Sequence, residues 1–176
     1  MRRIKSEIDE IIFKFHENYL DIELEKEIFC GGFMLVGISP LISPDLLSTL
    51  YRMGHGDEIV MADAHFPGES INPNVIRADG LRILSLMDAI LPLFALDKSV
   101  DYPLIMMAPT PGDKIDIQVE KSYIQSARNF WPETPEIQKF ERFAFYSRAK
   151  KAFAVVMTGD TTTYANIILR KGVTPL

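Results

Sequence analysis

The sequence predicts an α/β protein, a layered α/β/α arrangement around a central, largely buried sheet of about six strands. Two observations predict it. Five short apolar runs, EIVMAD (58–63), VIRADG (75–80), PLIMMAP (103–109), AVVMTG (154–159) and NIILRKG (166–172), have strand length, and unbroken runs such as PLIMMAP suit a sheet covered on both faces. Between them lie longer segments with helical spacing or helix-end signals, and strands that alternate with helices build layered α/β folds.

Taken in order, residues 4 to 29 place Ile4, Ile8, Ile11, Phe15 and Tyr19 at helical spacing, so an amphipathic helix is expected there. Cys30-Gly31-Gly32 then breaks the pattern. SPDLLSTLYRMG reads as a helix with Ser43 as N-cap, Pro44 in the first helical position, Asp45 in the first turn and Gly54 as the stop. LRILSLMDAILPLF (81–94) reads as a buried helix, and IDIQVEKSYIQSARNF (115–130) and ERFAFYSRAKKA (141–152) as two further helices. No internal repeat or low-complexity tract interrupts them.

A chain of 176 residues suffices for one domain with a sizeable core. The net charge of −5, without a basic block or face, argues against a nucleic-acid partner. One cysteine, Cys30, excludes an internal disulfide and a multi-cysteine zinc site. No apolar run is long enough to span a membrane and no signal-peptide core is visible, so a cytoplasmic protein is the expectation.

Two of the three histidines fall in MGHGDEIVMADAH (53–65). His55 stands between two glycines on a loop between helix and strand, uncrowded and accessible to a ligand. It equally suits a cation at the negative end of the preceding helix. Asp63 ends an apolar strand, where α/β proteins commonly place binding residues, and an extended chain points His65 to the same side. His55, Asp57 and His65 also spell part of a two-histidine, one-carboxylate metal triad, but the spacing is weak support and no metal is expected. Tyr164 and Asn166 precede the last strand and offer an apolar ring face, a hydroxyl and an amide, a combination suited to sugars or to an ordinary strand start. Arg142 is a possible fork donor or the partner of a surface ion pair with Glu141. No Walker loop, dinucleotide fingerprint or Ser–His–Asp pattern is present, and no cofactor is expected.

ISPLISPDLLSTLYRMGHGDEIVMADAHFPG, with VIRADG, LIMMAP, ERFAFYSRAKKAFAVVMTG and YANIILRKGV, resembles the ribose pyranase and fucose mutarotase family over residues 34 to 174. The ERFAFYSRAKKAF block with Arg142 resembles its L-fucose mutarotase branch; the D-ribose branch tends to carry a His there. The resemblance implies a sugar mutarotase domain over 34–176, with His55 as proton donor and Asp63, Arg142, Tyr164, Ala165 and Asn166 as substrate contacts. It implies a monosaccharide substrate and a homo-oligomeric ring, commonly a decamer, with sites completed at subunit interfaces. D-ribose pyranase activity and a non-catalytic sugar-binding regulator are the alternatives. Asp160 stands where the family more often has Glu, and residues 128–137 diverge.

Residues 1–33 have no counterpart in the family and carry 5 Lys/Arg against 8 Asp/Glu. Gly31-Gly32-Phe33-Met34 fits codons reading as a purine-rich ribosome-binding sequence before a start codon. Synthesis is therefore expected to begin at Met34, with the prefix an upstream reading frame; the alternative is a genuine helical extension that docks on the ring.

Overall fold

Helix α1 (Pro44–Arg52) begins where its caps demand. Ser43 Oγ accepts the Leu46 N–H at 3.2 Å, Pro44 takes the first helical position and Asp45 faces the positive helix end. At the other end Lys171 Nζ donates to the carbonyls of Leu50 (3.1 Å) and Met53 (2.6 Å). The cations at this helix terminus are thus Lys171 and, in the last turn itself, Arg52, and His55 is left for other work.

The chain is described by a computed structural model over residues 35–113 and 116–175. It divides into two units, Met1–Pro40 and Leu41–Leu176. Of the first, residues 35–40 form bends and turns. The expected helix over 4–29 and the expected start at Met34 lie outside the described residues.

The second unit continues through β1 (Glu58–Ala62), α2 (Gly68–Ile71), β2 (Val75–Ala78), α3 (Ile83–Ile90), β3 (Leu104–Met107) and α4 (Ile117–Phe130). It closes with β4 (Gln138–Phe140), α5 (Arg142–Ala149), β5 (Ala154–Thr158) and β6 (Ile167–Arg170). The six strands form one sheet in the order β2-β5-β1-β6-β3-β4. All pairs are parallel except those of β6, which runs antiparallel between β1 and β3. The expected α/β class and strand number hold, with helices packed around a mixed sheet.

Both sheet faces are dry at the centre: every residue of β3 and β5 is buried. Alternate residues of a strand point to opposite faces. Val60, Ala62, Ile105, Met107, Val155, Met157 and Ile168 therefore share a core with Phe145 and Ala149 of α5 and with Phe66. Ile59, Met61 and Leu169, equally buried, supply the other face. Asn72 ties the end of α2 to the end of α5 by donating from Nδ2 to the carbonyls of Ala149 and Ala152, both at 2.9 Å.

Several boundaries differ from the sequence expectation for visible reasons. Helix α3 stops at Ile90 rather than Phe94, because Pro92 has no N–H to continue the ladder. Helix α5 ends at Ala149, and its start is fixed by the Glu141 carboxylate, which accepts the N–H groups of Phe143 (2.8 Å) and Ala144 (3.2 Å). Glu141 is thus a capping residue. Strand β4 and the single turn α2 carry too few residues to show a period.

Gly159 marks the tightest backbone approach among the described glycines. A Cβ there would lie 1.9 Å from the Asp79 carbonyl oxygen, at the place where the Gly159 N–H donates to the Leu81 carbonyl. Gly159→Ala is expected to lower stability by roughly 1–3 kcal/mol, because backbone rather than a pliable side chain has to move. A urea midpoint unchanged from wild type contradicts this.

Candidate active site

Antiparallel pairing of β1 with β6 sets Asp63, just past the end of β1, beside Asn166, just before β6. The two lock reciprocally. The Asp63 N–H donates to Asn166 Oδ1 at 2.8 Å, and Asn166 Nδ2 donates to Asp63 Oδ2 at 2.7 Å. Asp63 Oδ1 also accepts the His65 N–H at 3.0 Å. The chain turns here instead of running extended, so His65 reaches the cavity wall through this Asx turn and not by strand alternation.

Asp63 and Asn166 are both buried. Burial pushes the Asp63 carboxyl up from its ordinary value, and the hydrogen bonds from His65 and Asn166 only partly offset it. Asp63→Ala removes the acceptor for both donors, which is expected to cost about 1–3 kcal/mol in stability. The same variant is expected to weaken monosaccharide binding at least tenfold, as read by ligand-detected NMR titration. Unchanged binding removes Asp63 from the site.

Asp63, His65, Phe66, Met107, Asp113, Arg142, Tyr146, Thr163, Tyr164 and Asn166 line a cavity of about 410 Å³. That is ample for a monosaccharide. Tyr164 holds a left-handed backbone, φ 61°, which is strained for a residue with a large side chain. Its hydroxyl donates to the Asp113 carboxylate, accepts the Thr110 N–H at 3.3 Å, and lies 3.1 Å from Thr110 Oγ1. Phe66 and Tyr146 meet edge to face, centroids 5.4 Å apart. They give the cavity an apolar wall beside its polar groups. Arg142, the first residue of α5, holds its guanidinium 5.0 Å from the Phe143 ring centroid. Ala165 is buried, and its N–H donates to the Thr162 carbonyl at 3.3 Å.

Four of the six residues singled out from the sequence, Asp63, Arg142, Tyr164 and Asn166, thus converge on one cavity. Ala165 lies between two of them without lining it. His55 does not join them within the chain. It precedes β1 whereas Asp63 follows it, and five strand residues at about 3.3 Å each separate the two by roughly 16 Å or more. His55 and His65 stand at opposite ends of that strand, so the metal triad spelled by the sequence does not assemble within one chain. Asp57 serves the turn instead, its Oδ2 accepting the Gly54 N–H at 2.7 Å.

At its own end of the sheet His55 is half exposed, and its Nε2 stands 3.3 Å from Oδ1 of Asp97, which is buried. Asp97 also takes the Ser99 N–H (2.9 Å), the Ser99 hydroxyl (2.6 Å) and Arg170 Nε (2.9 Å). Burial alone pushes this carboxyl up. The donors from Ser99, Arg170 and His55 together outweigh it and hold the group well below the carboxylate range.

Sequence reasoning missed Tyr146, Asp113, Asp97 and Arg170. Only Tyr146 left a signal, since it falls four residues after Arg142 and so shares its helix face. The others are brought in by strand order and loop packing.

Residues 36–174 match the model of the RbsD / FucU transport protein family. The chain belongs to this family. Among curated relatives, an L-fucose mutarotase of Haemophilus influenzae (strain 86-028NP) is 54% identical over 143 residues, covering 81% of this chain and 99% of the relative. One from Histophilus somni (strain 2336) is 52% identical over the same shares. A crystal structure of the Streptococcus pneumoniae fucose mutarotase in complex with L-fucose superposes with a TM-score of 0.77 at 46% identity, covering 80% of this chain and all of the other. The Bacillus subtilis RbsD complexed with D-ribose is more distant, with a TM-score of 0.58 at 25% identity over 76% of this chain and 95% of that one.

Proposed function

We propose that this RbsD/FucU family member is an L-fucose mutarotase, an isomerase that interconverts the α and β pyranose anomers of L-fucose. The observation that carries the reading is the convergence of Asp63, Arg142, Tyr164 and Asn166 on one monosaccharide-sized cavity. It stands in a chain that aligns with L-fucose mutarotases over four-fifths of its length.

Mutarotation requires little machinery. A proton reaches the ring oxygen as one leaves the anomeric hydroxyl, the C1–O5 bond breaks, and an open-chain aldehyde forms. Rotation about C1–C2 and reclosure by the reverse proton transfers give the other anomer. Atoms and electrons balance without oxidant, nucleophile or cofactor. Asp63, held in a low-dielectric wall by Asn166, accepts hydrogen bonds from sugar hydroxyls, and Arg142 donates them. Phe66 and Tyr146 present ring faces and edges to the C–H side of the sugar.

The proton donor in this reading is His55, whose imidazole has one nitrogen to give a proton and another to take one. Because His55 sits at the far end of β1 from its own cavity, it acts in the cavity of a neighbouring subunit. The protein is then a homo-oligomer, read as a decameric ring in the cytoplasm. Exposed aromatic residues support such contacts: Tyr51, 90% exposed, lies four residues before His55, and Phe143, 64% exposed, adjoins Arg142 at the cavity. Tyr164, Ala165 and Asn166 serve the same site, Ala165 through its backbone.

Anomer exchange measured by saturation-difference NMR tests the function. Exchange on L-fucose above the uncatalysed rate is expected. Pyranose–furanose exchange on D-ribose with none on L-fucose makes the protein a ribose pyranase, and binding without exchange makes it a sugar-binding regulator.

A further inference from the structure

We propose that Asp97 is the positioning residue for His55: its carboxylate accepts the Nε2–H of the imidazole, fixes that tautomer, and leaves Nδ1 as the nitrogen that faces the sugar. The inference rests on His55 being the acid–base group and deepens it by naming the working nitrogen.

The geometry supports it from three sides. Asp97 is 2% exposed, yet nothing in the cavity chemistry uses it. Its carboxylate is fixed before His55 arrives, with Oδ1 taking both donors of Ser99 and Oδ2 taking Arg170 Nε. Arg170 in turn is held at the end of β6. Its N–H donates to the Pro103 carbonyl at 2.9 Å, and its Nη1 lies 3.6 Å from Glu58 Oε1, an ion-pair distance. A rigid, charge-balanced acceptor therefore stands behind a half-exposed ring.

The loop is shaped to allow this stacking. Gly56 has φ 86°, and a Cβ there would come within 3.3 Å of the Arg170 guanidinium. Glycine lets Arg170 lie close under the loop that carries His55. The Nε2···Oδ1 separation of 3.3 Å is long for a hydrogen bond, of the kind that shortens once a substrate seats against the ring. With Nε2–H directed at Asp97, Nδ1 is the nitrogen left to give a proton to the ring oxygen or take one from the anomeric hydroxyl.

A residue that merely pinned β6 would not select a histidine tautomer. The decisive measurement is therefore 15N NMR of histidine-labelled protein at a pH where the ring is neutral, with the His55 signals assigned by their loss in His55→Ala. The wild-type protein is expected to carry the proton on Nε2. Asp97→Asn can turn an amide N–H toward Nε2 and is expected to shift the population toward Nδ1–H. L-fucose exchange in that variant is expected to fall roughly ten- to hundredfold in kcat with little change in KM. A wild-type His55 protonated on Nδ1 overturns the proposal, and this result needs no variant to fold. A folded Asp97→Asn protein with wild-type exchange and tautomer overturns it too. If His55→Ala itself exchanges at the wild-type rate, the acid–base reading fails first; if His55→Ala is inactive and the tautomer is wrong, only the role of Asp97 fails.

Discussion

His55→Ala is expected to lower anomer exchange on L-fucose by roughly 10²–10⁴-fold, the usual reach of a positioned general acid–base group. The variant should remain folded. The imidazole is half exposed and buries little surface, and Asp97, its one ion-pair partner among the described residues, keeps its donors from Ser99 and Arg170. Stability is expected within about 1 kcal/mol of wild type. Binding of L-fucose should persist, because Asp63, Arg142, Tyr164 and Asn166 are untouched. Exchange at the wild-type rate sinks the assignment. In that case His65, the imidazole that lines the cavity within the same chain, is the next residue to substitute, and loss of exchange in His65→Ala moves the acid–base role there.

The contrast between these two histidines shows where the sequence was legible and where it was not. The strands were readable because β1, β3 and β5 are buried along nearly their whole length, which leaves apolar runs that few other structures need. Caps were readable because Ser43-Pro44-Asp45 act through neighbours three or four residues away. Strand order was not, since nothing local tells β6 to enter the middle of the sheet antiparallel. Yet that placement joins Asp63 to Asn166 and, at the other end, Asp97 to Arg170.

The same limit explains the site. Asp63 was visible as an acid ending an apolar strand, and His55 as a histidine between glycines; the sequence put both in one short stretch. A strand between two such residues carries them to opposite ends of the sheet, a consequence of a rise of about 3.3 Å per residue. Closeness in sequence therefore argues against their meeting within one chain. The Asx turn at Asp63 likewise altered the route by which His65 reaches the cavity without altering its destination.

Mixing two inactive proteins is expected to restore activity. In the shared-site reading, a competent site takes Asn166, with Asp63 and Tyr164, from one subunit and His55 from its neighbour. An oligomer of His55→Ala chains lacks the proton donor at every site. One of Asn166→Ala chains lacks the side chain that donates to the buried Asp63 carboxylate at 2.7 Å and accepts the Asp63 backbone N–H at 2.8 Å. When the two kinds of chain are dissociated together and reassembled in equal amounts, about a quarter of the interfaces pair an intact Asn166 with an intact His55. Exchange per chain should then rise from the residual level of either parent to about a quarter of wild type, provided each mixed interface works independently. A site confined to one chain gives a different result: no chain in the mixture holds both residues, so exchange stays at the level of the parents. Native mass spectrometry verifies that mixed oligomers have formed before the rate is read. Mixed oligomers that recover no exchange overturn the reading of a cavity completed by a second copy of the chain.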